Sequence, residues 1–455
     1  MAITTVVIFL IVFGVVSFIS AMVFIGLYVS KTKSTSNTEE TTTAAPDGFK
    51  KLFITSTIQE VSVEGSTNEN LLSEITGHVD QFGTTYTTTW YIDKDNGKGF
   101  ANVVTYRRLL TSEKFTFFTR LDYNQFAPED PTAGLVYLPY DAVDNGKYLA
   151  VLMVGWGTLP VPSDSYLWLI PRFDDGKLQY QKSINDHTVG FLPIFLANDR
   201  YDDRSFILSE RTGRTIHVKI GNNVINTDLF NNTSTSFVWR GMYVNLVFLY
   251  FVEHDNVSNI LKVYQIERKN NNWQLDTIIE VLEITDFEVE DVNASITLVV
   301  NSTDDTLYIG NPLKTVDSIP FAGQVIVFTR TGKNETFVQS TEILEPEVLE
   351  NSRFGMGALY LYDDQYLCVP SGMFSNLERT VNLFQKENAE YKYLQNFDLA
   401  VAAGEEENLN FNYFSLGEGT DNTHFFYGQT CPRSSNFVPL LLDIGFEQKV
   451  VPTSI

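Results

Sequence analysis

A ten-residue shape that keeps returning limits the fold of this chain more than any other feature. Small polar residues open it and an apolar run, usually ending near Pro or Gly, completes it. The copies are "KDNGKGFANV" at 94–103, "VDNGKYLAVL" at 143–152, "YDDRSFILSE" at 201–210, "TDDTLYIGNP" at 303–312, "YDDQYLCVPS" at 362–371 and "TDNTHFFYGQ" at 420–429. Successive starts lie 49, 58, 102, 59 and 58 residues apart. The double step holds a degenerate seventh copy, "RGMYVNLVFLYFVE" at 240–253, with Arg240 and Gly241 in the turn. A mean spacing of about 54 residues marks one supersecondary unit repeated in series.

An apolar strand precedes each copy, as in "FGMGALYLY", "ASITLVV", "VGFLPIFL" and "GLVYLPY". Asp-Asn-Gly and Asp-Asp tolerate the positive φ that a tight hairpin needs, so the shape reads as a turn between two strands. A second hairpin follows, as in "RTIHVKIGNNVINTDLF", "GQVIVFTRTGKNETFVQSTEIL", "YLWLIPRFDDGKLQYQKSI" and "TVNLFQKENAEYKYLQNFDL". Four strands per repeat and seven repeats predict an all-β chain: a seven-bladed β-propeller of four-stranded blades over residues 51–455. Runs such as "YLCVP" and "LYIGN" suit inner strands buried on both faces, whereas "YKYLQNF" alternates as an outer strand does. Closure falls to the chain ends. "NFVPLLLDIGFEQKVVP" at 436–452 supplies the last blade's third strand, and "LFITSTIQEVSV" at 52–63 its outermost one, which removes exposed sheet edges. The recurrent acids are therefore turn residues before they are catalytic carboxylates.

Length and composition agree. A chain of 455 residues exceeds one ordinary core, and 34 Phe and 22 Tyr with only 19% charged residues favour strands. A formal charge of −24 without a Lys/Arg cluster repels phosphate backbones and excludes nucleic acid as a partner. Two cysteines, Cys368 and Cys431, allow at most one disulfide and leave the redox compartment open.

Residues 4–29 hold 26 consecutive uncharged residues, and about 20 suffice to cross a bilayer as a helix. The run is too long for a signal-peptide core and has no basic n-region, so residues 1–29 are expected to be a transmembrane signal-anchor. Residues 30–50, rich in Thr and Ser, read as a flexible stalk. Orientation draws opposite signals. Lys31 and Lys33 on the C-terminal side favour a cytoplasmic domain, whereas six N-x-S/T sequons at Asn231, Asn232, Asn256, Asn293, Asn301 and Asn334 favour a lumenal or exterior one. Chance supplies roughly five such triplets in a chain this rich in Asn and Thr, so the exterior placement rests on the habit of single-span anchors to display what they carry.

At 353–386, "RFGMGALYLYDDQYLCVPSGMFSNLERTVNLFQK" resembles the FG-GAP repeat of integrin α-subunit propellers. Phe354 and Gly355 match its first element and "CVPS" its corner. "YIGNPLKTVDSIPFAGQVIVF" at 308–328 is a second match, through Gly310, Asn311, Pro312 and Gly323. The resemblance implies a propeller with adhesive function. The family's calcium loop, Asp-x-Asp-x-Asp-Gly, is approached only by "DKDNGKG" at 93–99. There Asp93 and Asp95 could contribute oxygens to calcium, but glycine comes one position early and Asn96 replaces an acid, so an ordinary turn is the better reading. No other cofactor is implied.

Catalytic patterns are scarce. His78, His187, His217, His254 and His424 show no paired metal spacing, and no nucleophile elbow, Walker loop or dinucleotide fingerprint occurs. Cys368 inside an inner strand reads as buried and inert. A sialidase-like glycoside hydrolase is the enzymatic alternative, yet the Asp-box Ser-x-Asp-x-Gly-x-x-Trp is missing. The sequence thus points to a non-catalytic recognition or adhesion module for a protein or glycan. Its binding loops are expected within 153–165, 311–322 and 371–378, with Trp156 and Tyr166 as anchors. A membrane-anchored structural protein of a large virus particle is the other non-catalytic alternative.

Overall fold

The computed structural model describes the backbone of the strands between Lys51 and Lys449, and side chains chiefly within 240–269, 278–289, 296–357, 359–372 and 380–397. The chain divides into two compact units, Leu52–Glu447, which holds the sheets, and Met1–Lys51 with Gln448–Ile455. The expected transmembrane segment and stalk lie outside the described residues. Among the described residues no helix is long and apolar enough to cross a membrane.

The chain is all-β, and its described strands form seven antiparallel sheets taken in chain order. The first is β2 (Leu72–Thr76), β3 (Thr84–Ile92), β4 (Gly99–Arg107) and β5 (Thr116–Asp122). The second is β6 (Val136–Asp144), β7 (Tyr148–Trp156), β8 (Ser165–Pro171) and β9 (Ile184–Thr188). The third is β10 (Pro193–Asn198), β11 (Ser205–Glu210), β12 (Thr215–Ile220) and β13 (Asn223–Asp228). The fourth is β14 (Phe237–Val244), β15 (Phe248–Asp255) and β16 (Ile260–Lys269), flanked by the two-residue β17 (Asn272–Trp273) and by β18 (Ile279–Ile284). The fifth is β19 (Leu298–Val300), β20 (Thr306–Asn311), β21 (Gln324–Thr329) and β22 (Val338–Ile343). The sixth is β23 (Tyr360–Tyr362), β24 (Tyr366–Ser371), β25 (Thr380–Glu387) and β26 (Glu390–Asp398). The seventh is β27 (Ser415–Glu418), β28 (His424–Arg433) and β29 (Asn436–Lys449), completed by β1 (Lys51–Glu60) on its outer edge.

The first strands adjoin one another in sequence: β2 with β6, β6 with β10, β10 with β14, β14 with β19, β19 with β23, and β27 back to β2. That succession is a β-propeller arrangement, and β1 pairs the last strand of the chain on the outer edge of the seventh sheet, as the end segments led one to expect.

Why inner strands lack alternation is visible at β20, whose six residues are all buried. Leu307 and Ile309 enter a core with Phe248, Tyr250, Val252 and Val263 of the fourth sheet. Tyr308, pointing the other way, packs with Phe354, Leu367, Val369 and Phe384 toward the sixth. Ile326 and Phe328 of β21 join the first core, Val325 and Val327 the second. Each inner strand thus serves two inter-sheet layers, so both of its faces must be apolar.

Three expectations shift. The copy at 94–103 sits between β3 and β4, the second and third strands, whereas the other acidic turns join the first strand to the second. Arg240 and Gly241 are not a turn: they lie within β14, where the register slips between Trp239 and Gly241, and the turn is at 245–247. Gly241 is required inside the strand, since a Cβ there would lie 2.3 Å from the Ile296 carbonyl oxygen. Finally, "KLQYQKSI" meets β8 at Gln179, whose N donates to Pro171 O at 2.6 Å, and at Ile184, which stands opposite Leu169, and the paired strand runs on from there as β9, with Ser165 opposite Thr188.

The FG-GAP-like residues meet in space. Gly310 lies against Gly355, and the bridge between Gly323 and Phe354 is parallel. Phe354 N donates to Ala322 O at 2.9 Å and Gly355 N to Pro370 O at 3.0 Å. The motif therefore laces the fifth sheet to the sixth by close backbone contact, which explains its glycines without any ligand.

Candidate functional site

Three first-to-second-strand turns enclose an open cavity of about 450 Å³. They are residues 245–247 between β14 and β15, 301–305 between β19 and β20, and 363–365 between β23 and β24. Its inner wall is Val299, Val300, Leu359 and Tyr360, all buried, while Leu246 and Asp363 are exposed at the open end.

Each turn is shaped by the residues that the repeat supplies. Asn301 Oδ1 accepts from the backbone N of Asp305 at 3.0 Å and of Thr306 at 2.9 Å, and its Nδ2 donates to Thr303 Oγ1 and Asp305 Oδ1. Asp304, Asp363 and Asp364 take φ of 60°, 50° and 54°, the left-handed region that Asp tolerates better than most residues. Asn245 does the same work in the non-acidic turn, its Oδ1 accepting from Val247 N at 2.9 Å and Phe248 N at 2.7 Å.

The turns are also tied to one another. Asp364 accepts from Ser302 N at 2.9 Å and from the Ser302 hydroxyl, joining the sixth sheet to the fifth. Asn245 Nδ2 donates to Asp304 Oδ1 at 2.5 Å, joining the fourth to the fifth. Behind Asp304 stands a buried network. Tyr250 OH donates to Asp304 Oδ1 at 3.3 Å, and Arg330 gives Nε to Asp304 O, Nη1 to Gln265 Oε1 and Nη2 to the Tyr250 hydroxyl at 2.7, 2.7 and 3.0 Å. The Arg330 guanidinium also lies 4.3 Å from the centre of the Phe337 ring.

Asp304 is 2% exposed, and Asn245 and Tyr250 both donate to its carboxylate at Oδ1. Lys333 Nζ stands 4.0 Å from Oδ2. Burial pushes the carboxyl above the usual range, against the opposing pull of Asn245, Lys333 and Arg330. Burial, reinforced by Asp304, likewise pushes the Tyr250 hydroxyl up. Asp305 goes the other way: burial alone would raise it, but hydrogen bonds from Asn301, Thr306 and Thr303 hold it below the usual range. Arg330 spends its donors on protein acceptors of both the fourth and the fifth sheets, so this constellation ties the two together.

The residues singled out from sequence are scattered. Trp156 closes β7 opposite Val136, and Tyr166 lies in β8 between Met153 and His187, so both are strand residues whose side chains fall outside the described set. Asp93 and Asp95, in the connection between β3 and β4, also fall outside it. Among the described residues no group of three metal-ligating side chains gathers. Loop 311–322 is stitched to the link that follows the fifth sheet, through Asn351 N to Pro320 O at 3.1 Å and Arg353 N to Phe321 O at 2.9 Å. Of the sequon residues, Asn256 and Asn334 are exposed, and Asn256 Oδ1 accepts from Arg240 at 2.7 Å. Asn301 is 6% exposed with its amide committed to the turn, so a glycan could join it only before that turn closes. Asn231, Asn232 and Asn293 lie outside the described residues. His254 is a core histidine, with Nε2 2.7 Å from Phe287 O, and Cys368 is a free thiol, fully buried and pushed up by burial alone. The cleft itself escaped sequence reading because its three turns come from three different sheets, and Tyr250 and Gln265 of the fourth sheet meet Asp304 and Arg330 of the fifth only through packing.

No known protein family and no curated protein matches the sequence. Several solved structures resemble it in outline. A protein from Lactobacillus plantarum covers 80% of this chain and 99% of its own at 12% identity and a TM-score of 0.47. A putative 6-phosphogluconolactonase from Bacteroides uniformis covers 76% and 92% at 12% identity and 0.43. Trypanosoma rangeli sialidase in complex with the inhibitor DANA covers 85% and 59% at 10% identity and 0.42.

Proposed function

We propose that this chain is a single-span membrane protein whose seven-bladed propeller is a non-catalytic recognition or adhesion module, displayed on the exterior side by residues 1–50. The observation that carries the reading is the rim cleft. The polar groups around it are largely committed to holding three turns in fixed relation, while 450 Å³ between them stays open. A rigid, partly apolar recess between loops suits binding without rearrangement. The FG-GAP-like lacing of the fifth and sixth sheets supports an adhesive role by resemblance. The uncharged run at 4–29 supports the anchor by its length.

The deciding experiment is topology in a eukaryotic cell: endoglycosidase sensitivity of the sequons combined with protease protection in sealed microsomes. A glycosylated, protected domain is expected. An unglycosylated, digestible domain overturns adhesion and favours the second reading, an internal scaffold such as a structural protein of a large virus particle, which Lys31 and Lys33 support.

A further inference from the structure

We infer that Asn256 is a glycosylation site, its side-chain nitrogen carrying an N-linked oligosaccharide at the end of the fourth sheet that lies away from the cleft. This deepens the exterior reading and rests on it.

Chance supplies sequons freely in this chain, so the triplet Asn256-Val257-Ser258 says little until its amide is placed. Asn256 lies in the turn between β15 and β16 and is exposed. Its Oδ1 accepts from Arg240 Nη2 at 2.7 Å, and His254 Nδ1 lies 3.1 Å from the same oxygen. A guanidinium can only donate, which fixes the amide with its oxygen toward Arg240. Arg240 and His254 are both buried, so the oxygen faces inward and the nitrogen faces solvent. Among the described residues Asn256 Nδ2 makes no hydrogen bond. Glycosylation joins Nδ2 to the anomeric carbon of the oligosaccharide and breaks that carbon's bond to the phosphate oxygen of a lipid-diphosphate donor; Nδ2 gives up a proton and the lipid diphosphate leaves. The amide oxygen is unchanged by this step, so glycosylated Asn256 still accepts from Arg240.

The turn itself does not need that nitrogen. Asp255 Oδ1 accepts from Val257 N at 2.9 Å and its Oδ2 from Ser258 Oγ at 2.7 Å, while Asn259 N donates to Asp255 O at 2.9 Å. Val257 is 83% exposed, so the turn stands clear in solvent with room for a sugar. Asn301 is the opposite case: its Nδ2 donates to Thr303 Oγ1 and Asp305 Oδ1, and a sugar on it would displace both bonds. Asn334 is exposed, yet among the described residues no hydrogen bond orients its amide. The eight residues of β15 carry the cleft turn at one end and the Asn256 turn at the other. At about 3.3 Å per residue the two ends stand roughly 25 Å apart, so a glycan on Asn256 clothes one end of the sheet and leaves the recess open.

The test expresses the full chain in a eukaryotic cell and reads two things: protease protection in sealed microsomes, and glycan release by a peptide N-glycanase in heavy-oxygen water, which leaves a mass label on every Asn that carried a sugar. Trypsin cutting after Arg240 and Lys262 isolates residues 241–262, which hold one sequon. A protected domain with the label at Asn256 and none at Asn301 is expected. Ser258→Ala should abolish the label and remove one glycan step from the gel mobility. Ser258 also donates to Asp255, so Asn256→Asp, which keeps an oxygen acceptor for Arg240, stands in should that variant misfold; it should remain protected and lose the same single step. A protected domain with Asn256 bare overturns the inference and leaves the exterior reading standing. Equal labelling of Asn256 and Asn301 overturns it as well, because the placement of the amide would then decide nothing. A digestible domain overturns both.

Discussion

Replacing Gly310 by Ala tests the lacing of the fifth and sixth sheets at its tightest point. A Cβ at 310 would lie 2.0 Å from the Gly355 carbonyl oxygen and 3.0 Å from its carbon. An unstrained C···O approach is about 3.3 Å, so the sheets must part locally by about 1.3 Å. Gly355 cannot retreat freely, because its N donates to Pro370 O and its φ of 87° already defines the corner. The oxygen belongs to backbone, so no side chain can swing aside. Overpacking of this kind costs about 3 kcal/mol or more. A folded unit of about 400 residues has an unfolding entropy near 0.8 kcal/mol/K, so Tm should fall by about 4 °C. Gly332→Ala is the control: its Cβ would meet only the Glu335 side chain, at 3.3 Å, and Tm should stay within about 1 °C. Scanning calorimetry of both variants decides the matter. An unchanged Tm for Gly310→Ala would mean that Gly355 does not lie against Gly310, and the structural account of the FG-GAP-like motif would fail with it.

Further predictions probe other parts of the molecule. Burial raises the Glu345 carboxyl despite hydrogen bonds from Ser352, Ser371 and Asn382, so the folded chain holds this proton more tightly than the unfolded one. Its stabilising contribution is full below the unfolded carboxyl range and fades as pH rises through the folded value; the urea midpoint of wild type relative to Glu345→Gln should therefore rise between pH 7 and pH 5, and a constant gap refutes this. Tyr308→Phe removes the 2.8 Å hydrogen bond from the Tyr391 hydroxyl and should cost about 1 kcal/mol by urea unfolding, while Tyr308→Ala, which also opens a cavity, should cost about 3–5 kcal/mol. Cys368 should resist a thiol reagent in the native state and react in denaturant; ready native labelling would contradict its burial. Trp156→Ala and Tyr166→Ala should leave far-UV dichroism and Tm intact and weaken partner capture if these residues are anchors; a fall in Tm assigns them to the core.

How far the sequence carried the fold is clearest where it slipped. Asp-Asp and Asp-Asn turns were legible because positive φ is a local demand that few residues meet, and Asp304, Asp363 and Asp364 meet it. Arg240-Gly241 misled because a glycine can also answer a demand from another sheet: it stands in β14 to admit the Ile296 carbonyl, and the turn falls to Asn245, whose side chain does the capping that acids do elsewhere. The copy at 94–103 misled because a hairpin turn has the same chemistry whichever two strands it joins, so the motif alone could not fix its phase. The cleft was half legible. Asp304 and Asp363 were seen as turn residues, and they are; what no single stretch of sequence encodes is that turns about 58 residues apart stand side by side, because that proximity arises from packing one sheet on the next. Turn chemistry and site chemistry then act through the same carboxylate. Asp304 Oδ1 serves the fold by accepting from Asn245 and Tyr250, while Oδ2 stands 4.0 Å from Lys333 Nζ on a residue that lines the cleft.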